Sequence, residues 1–166
     1  MRDSGLFRLI VNSFTPPGTP KSDVAKFFAI TQAIVDPGDP ANFARFSTLE
    51  ALPGVANWAP KDVLIQEVKE DTIVPNTSTE VLARALGLPQ VGRVTHDVPG
   101  MQRVVAPVTA NLPSGATGGL SQFDTMDGKL AQHGELIFST EGKKQYVEFF
   151  RTALAGRATI IDPYAP

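Results

Sequence analysis

Val63-Leu64-Ile65-Gln66-Glu67-Val68, then Lys69-Glu70-Asp71-Thr72-Ile73-Val74-Pro75-Asn76, then Thr77-Ser78-Thr79-Glu80-Val81-Leu82-Ala83-Arg84-Ala85-Leu86-Gly87-Leu88-Pro89 is the stretch that decides the fold. Its first run is β-rich and opens continuously apolar, as a strand covered on both faces of a parallel sheet does. Lys69 to Thr72 end it in polar residues. Thr77 and Glu80 then stand in capping-box spacing, Thr77 toward the amide of Glu80 and Glu80 reaching back. Val81, Leu82, Ala85 and Leu86 supply a buried stripe, Gly87 suits the left-handed position after the helix, and Pro89 prevents its continuation. A strand, a polar loop and a capped helix make a βα unit.

The same pattern continues downstream. Short β-like runs at 91–95 and 103–108 flank Pro99-Gly100, and Pro113 to Gly119 read as a flexible loop. Leu120 to Asp124 alternate apolar and polar, as a further strand does. A loop from Thr125 to Gly134 carries His133. The last helix opens near Ser139 or Thr140, buries Tyr146, Phe149, Phe150, Ala153 and Leu154, and closes at Gly156. The expected class is α/β, with mainly parallel strands and flanking helices.

Upstream the chain is less regular. An apolar segment within residues 1–14 is too short for periodicity to choose between strand and helix. After the Pro-rich turn at 15–20, Ser22 is placed to cap a helix whose apolar face is Val24, Phe27, Phe28, Thr31, Ile34 and Val35. Asp36-Pro37-Gly38-Asp39-Pro40 stops that helix, and residues 42–60 are irregular around the single tryptophan, Trp58.

Composition narrows the function. With 166 residues, 42% hydrophobic and 19% charged, this is one globular domain's worth of chain. A net charge of -2 and scattered Lys and Arg argue against nucleic acid as a partner. The absence of cysteine removes disulfides, thiolate metal sites and cysteine nucleophiles together. No stretch reads as a transmembrane helix. Arg8 and Pro16-Pro17 spoil the N-terminal run as a signal peptide, and the residues leave the compartment open.

Chemistry enters through two loops at the carboxyl ends of expected strands, where α/β sheets place their ligands. One presents Asp71 and the other His133. A carboxylate bonded to one imidazole nitrogen fixes the tautomer and stabilises the imidazolium, leaving the other nitrogen as a general base toward a hydroxyl. The plainer alternatives are a strand-ending aspartate and a solvated loop histidine.

The run from Val63 to Glu67 with Asp71-Thr72-Ile73-Val74-Pro75-Asn76 resembles the acid strand and loop of bacterial lipase- and esterase-type α/β-hydrolases. Gln132-His133-Gly134-Glu135-Leu136 resembles the His-Gly segment before their last helix, and Asp36-Pro37-Gly38-Asp39-Pro40-Ala41-Asn42 a run of lipase-like envelope or secreted proteins. The resemblance implies a partial α/β-hydrolase sheet. Residues 1–60 would be an N-terminal cap- or lid-like segment, and 61–166 the C-terminal part of the hydrolase domain. It implies hydrolysis of a small-molecule or lipid ester without a cofactor, with Asp71 as triad acid and His133 as general base. Phe27, Phe28 and Ile34 become candidates for an acyl pocket.

The chain departs from that family at the nucleophile, since no G-x-S-x-G elbow and no HGGG-type segment occur. Ser4 and Ser114 both lack the glycine and the strand that an elbow requires. The expectation is therefore a chain that borrows its serine. It would form a homo-oligomer, or associate with a chain carrying the missing half, because a cut sheet exposes an edge. The alternative is a non-catalytic binding or assembly module derived from such a fold. His96 beside Asp97 reads as a local surface pair. No ligand spacing suggests a metal, and Asp36, Asp39 and Asn42 miss the calcium-loop pattern.

Overall fold

Strand β1, Val63–Val68, forms where the apolar run placed it and pairs in parallel with β4, Gly118–Phe123, in the register Val63 to Gly118 through Val68 to Phe123. The computed structural model describes Leu9 and residues 13–165; apart from Leu9, Ser13 and Phe14, the segment 1–14 lies outside the described residues, as does Ser4. β4 also pairs in parallel with β2, Gln90–Val91, which in turn pairs in parallel with β3, Arg103–Val104. The sheet order is β1-β4-β2-β3, so β1 and β3 are its edges. The protein is mixed α/β with a mostly parallel sheet, and no helix among the described residues is long and apolar enough to cross a membrane.

β4 is buried along its whole length. Sequence reading assigns Gly118 and Gly119 to a flexible loop, but they open this central strand. A Cβ on Gly119 would stand 2.3 Å from Val91 Cγ2, and one on Gly118 would stand 2.6 Å from a Leu88 methyl. Both glycines are thus close-packing residues rather than hinges. Leu120 faces one core with Ala83, Leu86, Leu88, Val98 and Leu112, while Phe123 faces another with Val68, Met126 and Leu136.

The helices before β2 are α1, Lys21–Val35; α2, Pro40–Phe43; α3, Arg45–Thr48; and α4, Asn76–Ala85. α4 starts one residue before the expected capping box, and no side chain caps it. Glu80 does not reach back to Thr77, because it is buried and bonded to His96 instead. Ala83 and Leu86 are buried and Val81 is exposed, which rotates the buried stripe from its expected place. Gly87 does adopt the left-handed backbone at φ +69°.

α1 runs over the expected residues, yet Pro20 precedes it and Ser22 lies inside its first turn without capping it. Its apolar face is largely uncovered, with Phe27 and Ile34 exposed. α2 and α3 occupy the stretch expected to be irregular. Ala44 joins the core against α4, and the buried Thr48 hydroxyl donates to Leu86 O at 2.6 Å. Residues 44–48 therefore pack with the α/β unit.

Past β4 the expected loop holds a hairpin, β5 Thr125–Met126 and β6 Lys129–Leu130, turning through Asp127 and Gly128 at φ +48° and +73°. Asp-Gly is the standard signal for such a turn. A short 3-10 turn, Leu136–Phe138, leads to α5, Thr140–Leu154, capped by Ser139 accepting from Gly142 N. α5 buries Gly142, Gln145 and Phe149. Phe150 and Leu154, expected inside, are exposed because they lie off that stripe.

Candidate functional site

Parallel pairing sets the site. β1 and β4 lie side by side with their carboxyl ends level, so the loops that follow them emerge on the same rim. The first loop turns at Glu70, whose backbone is left-handed at φ +56°. Asp71 follows, and its Oδ1 accepts from the amides of Ile73 at 2.8 Å and Val74 at 2.9 Å. Asn76 fixes the loop to the strand: its Oδ1 accepts from Asp71 N, and its Nδ2 donates to Glu67 Oε1 and Val68 O.

The second loop brings His133 back from the hairpin. Its Nδ1 lies 2.5 Å from Asp71 Oδ2. An ionised carboxylate only accepts, so Nδ1 carries the proton in the neutral ring and Nε2 is left as the basic nitrogen. Asp71 is nearly buried and His133 is partly exposed. Burial pushes the Asp71 carboxyl up. The His133 hydrogen bond, the Val74 and Ile73 amides and the charge of His133 pull it down, and the net result lies below the usual aspartate range.

A cavity of about 440 Å³ adjoins the pair, lined by Gln66, Val68 and Leu136, by Ile137, Tyr146 and Phe150, by Glu67, Val74 and Thr79, and by Asp71 and His133. It draws residues from both faces of β1, so it lies across that strand's outer edge. Among the described residues no serine lines it. Ser114 sits in the loop before β4, at the other end of the sheet and about 20 Å away along a six-residue strand. Its Oγ is buried and has no hydrogen-bond partner among the described residues.

Phe27, Phe28 and Ile34 do not line this cavity. Phe27 and Ile34 face solvent, and Phe28 is half-buried, edge-on to Phe27. His96 does not pair with Asp97, which contacts Arg103; it bonds Glu80 Oε1 through Nε2 at 2.7 Å. Glu67, Glu80 and His96 form the one group among the described residues with metal-ligand atoms gathered closely, all within 4.8 Å. Sequence spacing conceals that cluster, because its members come from a strand, a helix and a loop. Asn76 was legible only as the last residue of the family phrase.

No family model, curated protein or solved structure matches the chain.

Proposed function

We propose that the chain is the acid- and base-bearing part of a serine ester hydrolase of the α/β-hydrolase type, acting on a small-molecule or lipid ester. The observation that carries this reading is the Asp71–His133 hydrogen bond on the rim of an apolar-walled cavity. Asp71 orients the ring and stabilises the imidazolium, and His133 Nε2 takes the proton of an attacking serine hydroxyl, then returns it to the leaving alcohol. Val68, Leu136, Ile137 and Phe150 offer apolar contact to an acyl group.

The serine and the oxyanion donors come from polypeptide beyond these residues. The outer edge of β1 is the place for it, since in the described sheet that edge has no neighbouring strand and the cavity lies across it. An unpaired parallel edge invites a second copy of the chain or a chain carrying the missing half.

The test is fluorophosphonate labelling read by intact mass, together with ester turnover. Residues 1–166 alone should give no adduct. A longer polypeptide supplying the serine should give a stoichiometric adduct and lose ester turnover on His133→Ala. An adduct within 1–166 would overturn the borrowed nucleophile, and turnover that survives His133→Ala would overturn the hydrolase reading.

A further inference from the structure

Below the cavity, two carboxylates and an imidazole converge from three elements: Glu67 on β1, Glu80 on α4 and His96 in the loop between β2 and β3. Glu67 is 3% exposed and Glu80 8%, while His96 is half-buried. Neither carboxylate is paired with a lysine or arginine among the described residues; His96 is the one basic side chain in contact. Glu80 spends one oxygen on His96, and its second oxygen, which touches solvent, is free among the described residues to take a ligand. If both glutamates are ionised, the cluster holds two buried negative charges against at most one imidazolium. Such a charge excess is costly in a low-dielectric interior.

The groups around it are amides that hold the donors in place. Glu67 accepts from Asn76 Nδ2 on one oxygen and from Gln122 Nε2 on the other. The Gln122 carbonyl is fixed in turn by Gln90 Nε2 and Thr95 N. Gln90 Nε2 also donates to His96 O, which ties the histidine's backbone to the same network. Outer partners of this kind are what orient metal ligands.

We infer that Glu67, Glu80 and His96 form a binding site for one divalent transition-metal ion of the zinc class. Mixed carboxylate and imidazole donors suit such an ion better than magnesium or calcium, which favour oxygen-only sets. Zinc holds nitrogen and carboxylate ligands at about 2.0–2.2 Å, so the 2.7 Å His96–Glu80 pair opens to admit it while the wider separations, up to 4.8 Å, close around it. The ion takes the place of the hydrogen bond between His96 and Glu80. It pins the β2–β3 loop to β1 and α4, and Glu67 carries that anchorage to the cavity wall.

The test is calorimetric titration of the chelator-treated 166-residue chain with zinc sulfate, with thermal unfolding in parallel. One ion should bind per chain and raise Tm. Glu80→Gln and His96→Gln should weaken binding by more than about 100-fold, a larger loss than changing an outer partner brings. His133→Ala, which removes the other acid–histidine pair, should leave it unchanged. For a variant that folds poorly, X-ray absorption of the wild-type zinc complex decides: one imidazole nitrogen with carboxylate oxygens is expected. No binding, binding that survives in both folded cluster variants, binding lost in His133→Ala, or a zinc shell of oxygens alone each overturns the site. Ester turnover plays no part in these readouts, so the site stands or falls separately from the hydrolase reading.

Discussion

Asp71 and Glu67 lie four residues apart, and their surroundings push them in opposite directions. Two amides and an imidazole hold Asp71 below its ordinary value of 3.8. A depressed carboxyl stabilises the fold above that value, and this contribution is lost as pH falls through the lowered one. Asp71→Asn should therefore be less stable than wild type at neutral pH, with the gap closing below about pH 4; urea midpoints across pH 2.5–7 would check it. On the proposed hydrolase reading, the same change in a polypeptide that supplies the serine should cut ester turnover about 10⁴-fold, because an asparagine cannot hold the productive tautomer. Glu67 is raised above 4.5, first by burial and then by Glu80, against the lowering pull of Asn76, Gln122 and His96. There the sign reverses. The folded state holds the proton more tightly, so stability falls as pH rises from about 4.5 through the raised value. Glu67→Gln in the presence of chelator should flatten that decline and raise Tm at neutral pH, and a variant that declines as steeply as wild type would rule this out.

Single elements carry their own tests. Ser139 is buried, accepts from Gly142 N and donates to Leu136 O, so it both caps α5 and ties the helix to the turn after His133. Ser139→Ala should cost about 1 kcal/mol of stability by denaturant unfolding. Gly119 on β4 leaves no room for a methyl group beside Val91 and Ile160. Gly119→Ala should cost about 1–3 kcal/mol, with the helical circular dichroism of the folded state unchanged. At this scale β1, α1 and α5 were legible almost to the residue, because apolar runs, and for α5 its Ser139 cap, are local signals. The glycines of β4 were not, since a close approach between strand and side chains leaves no mark on neighbouring residues. The Asp127-Gly128 pair carries a turn signal, but the hairpin around it was not legible, because its two-residue strands lack the alternation that marks longer ones.

Among the described residues the outer edge of β1 is unpaired, Ile137 and Phe150 line the cavity next to it, and Phe138 and Val147 are exposed as well. Exposed edges and contiguous apolar area favour association. Light scattering after size exclusion should give a mass above that of one chain, rising with concentration. Phe150→Lys, at the border of the cavity, should shift it toward 17.8 kDa. A wild-type monomer at all concentrations would count against an edge made to be covered.

The sequence by itself determined the class of fold, the βα unit from Val63 to Gly87, and the two loops that carry Asp71 and His133. Each rests on patterns within about twenty residues, where hydrogen-bond periodicity and turn chemistry act. Tertiary structure alone decided what those loops meet. The parallel register of β1 with β4 levels their ends and closes the 2.5 Å bond across 62 positions. The same packing turns Glu80 from a helix cap into the buried partner of His96, and it leaves Phe27 and Ile34 in solvent. Burial and the position of a neighbouring strand depend on the whole chain, and no local run of residues encodes them.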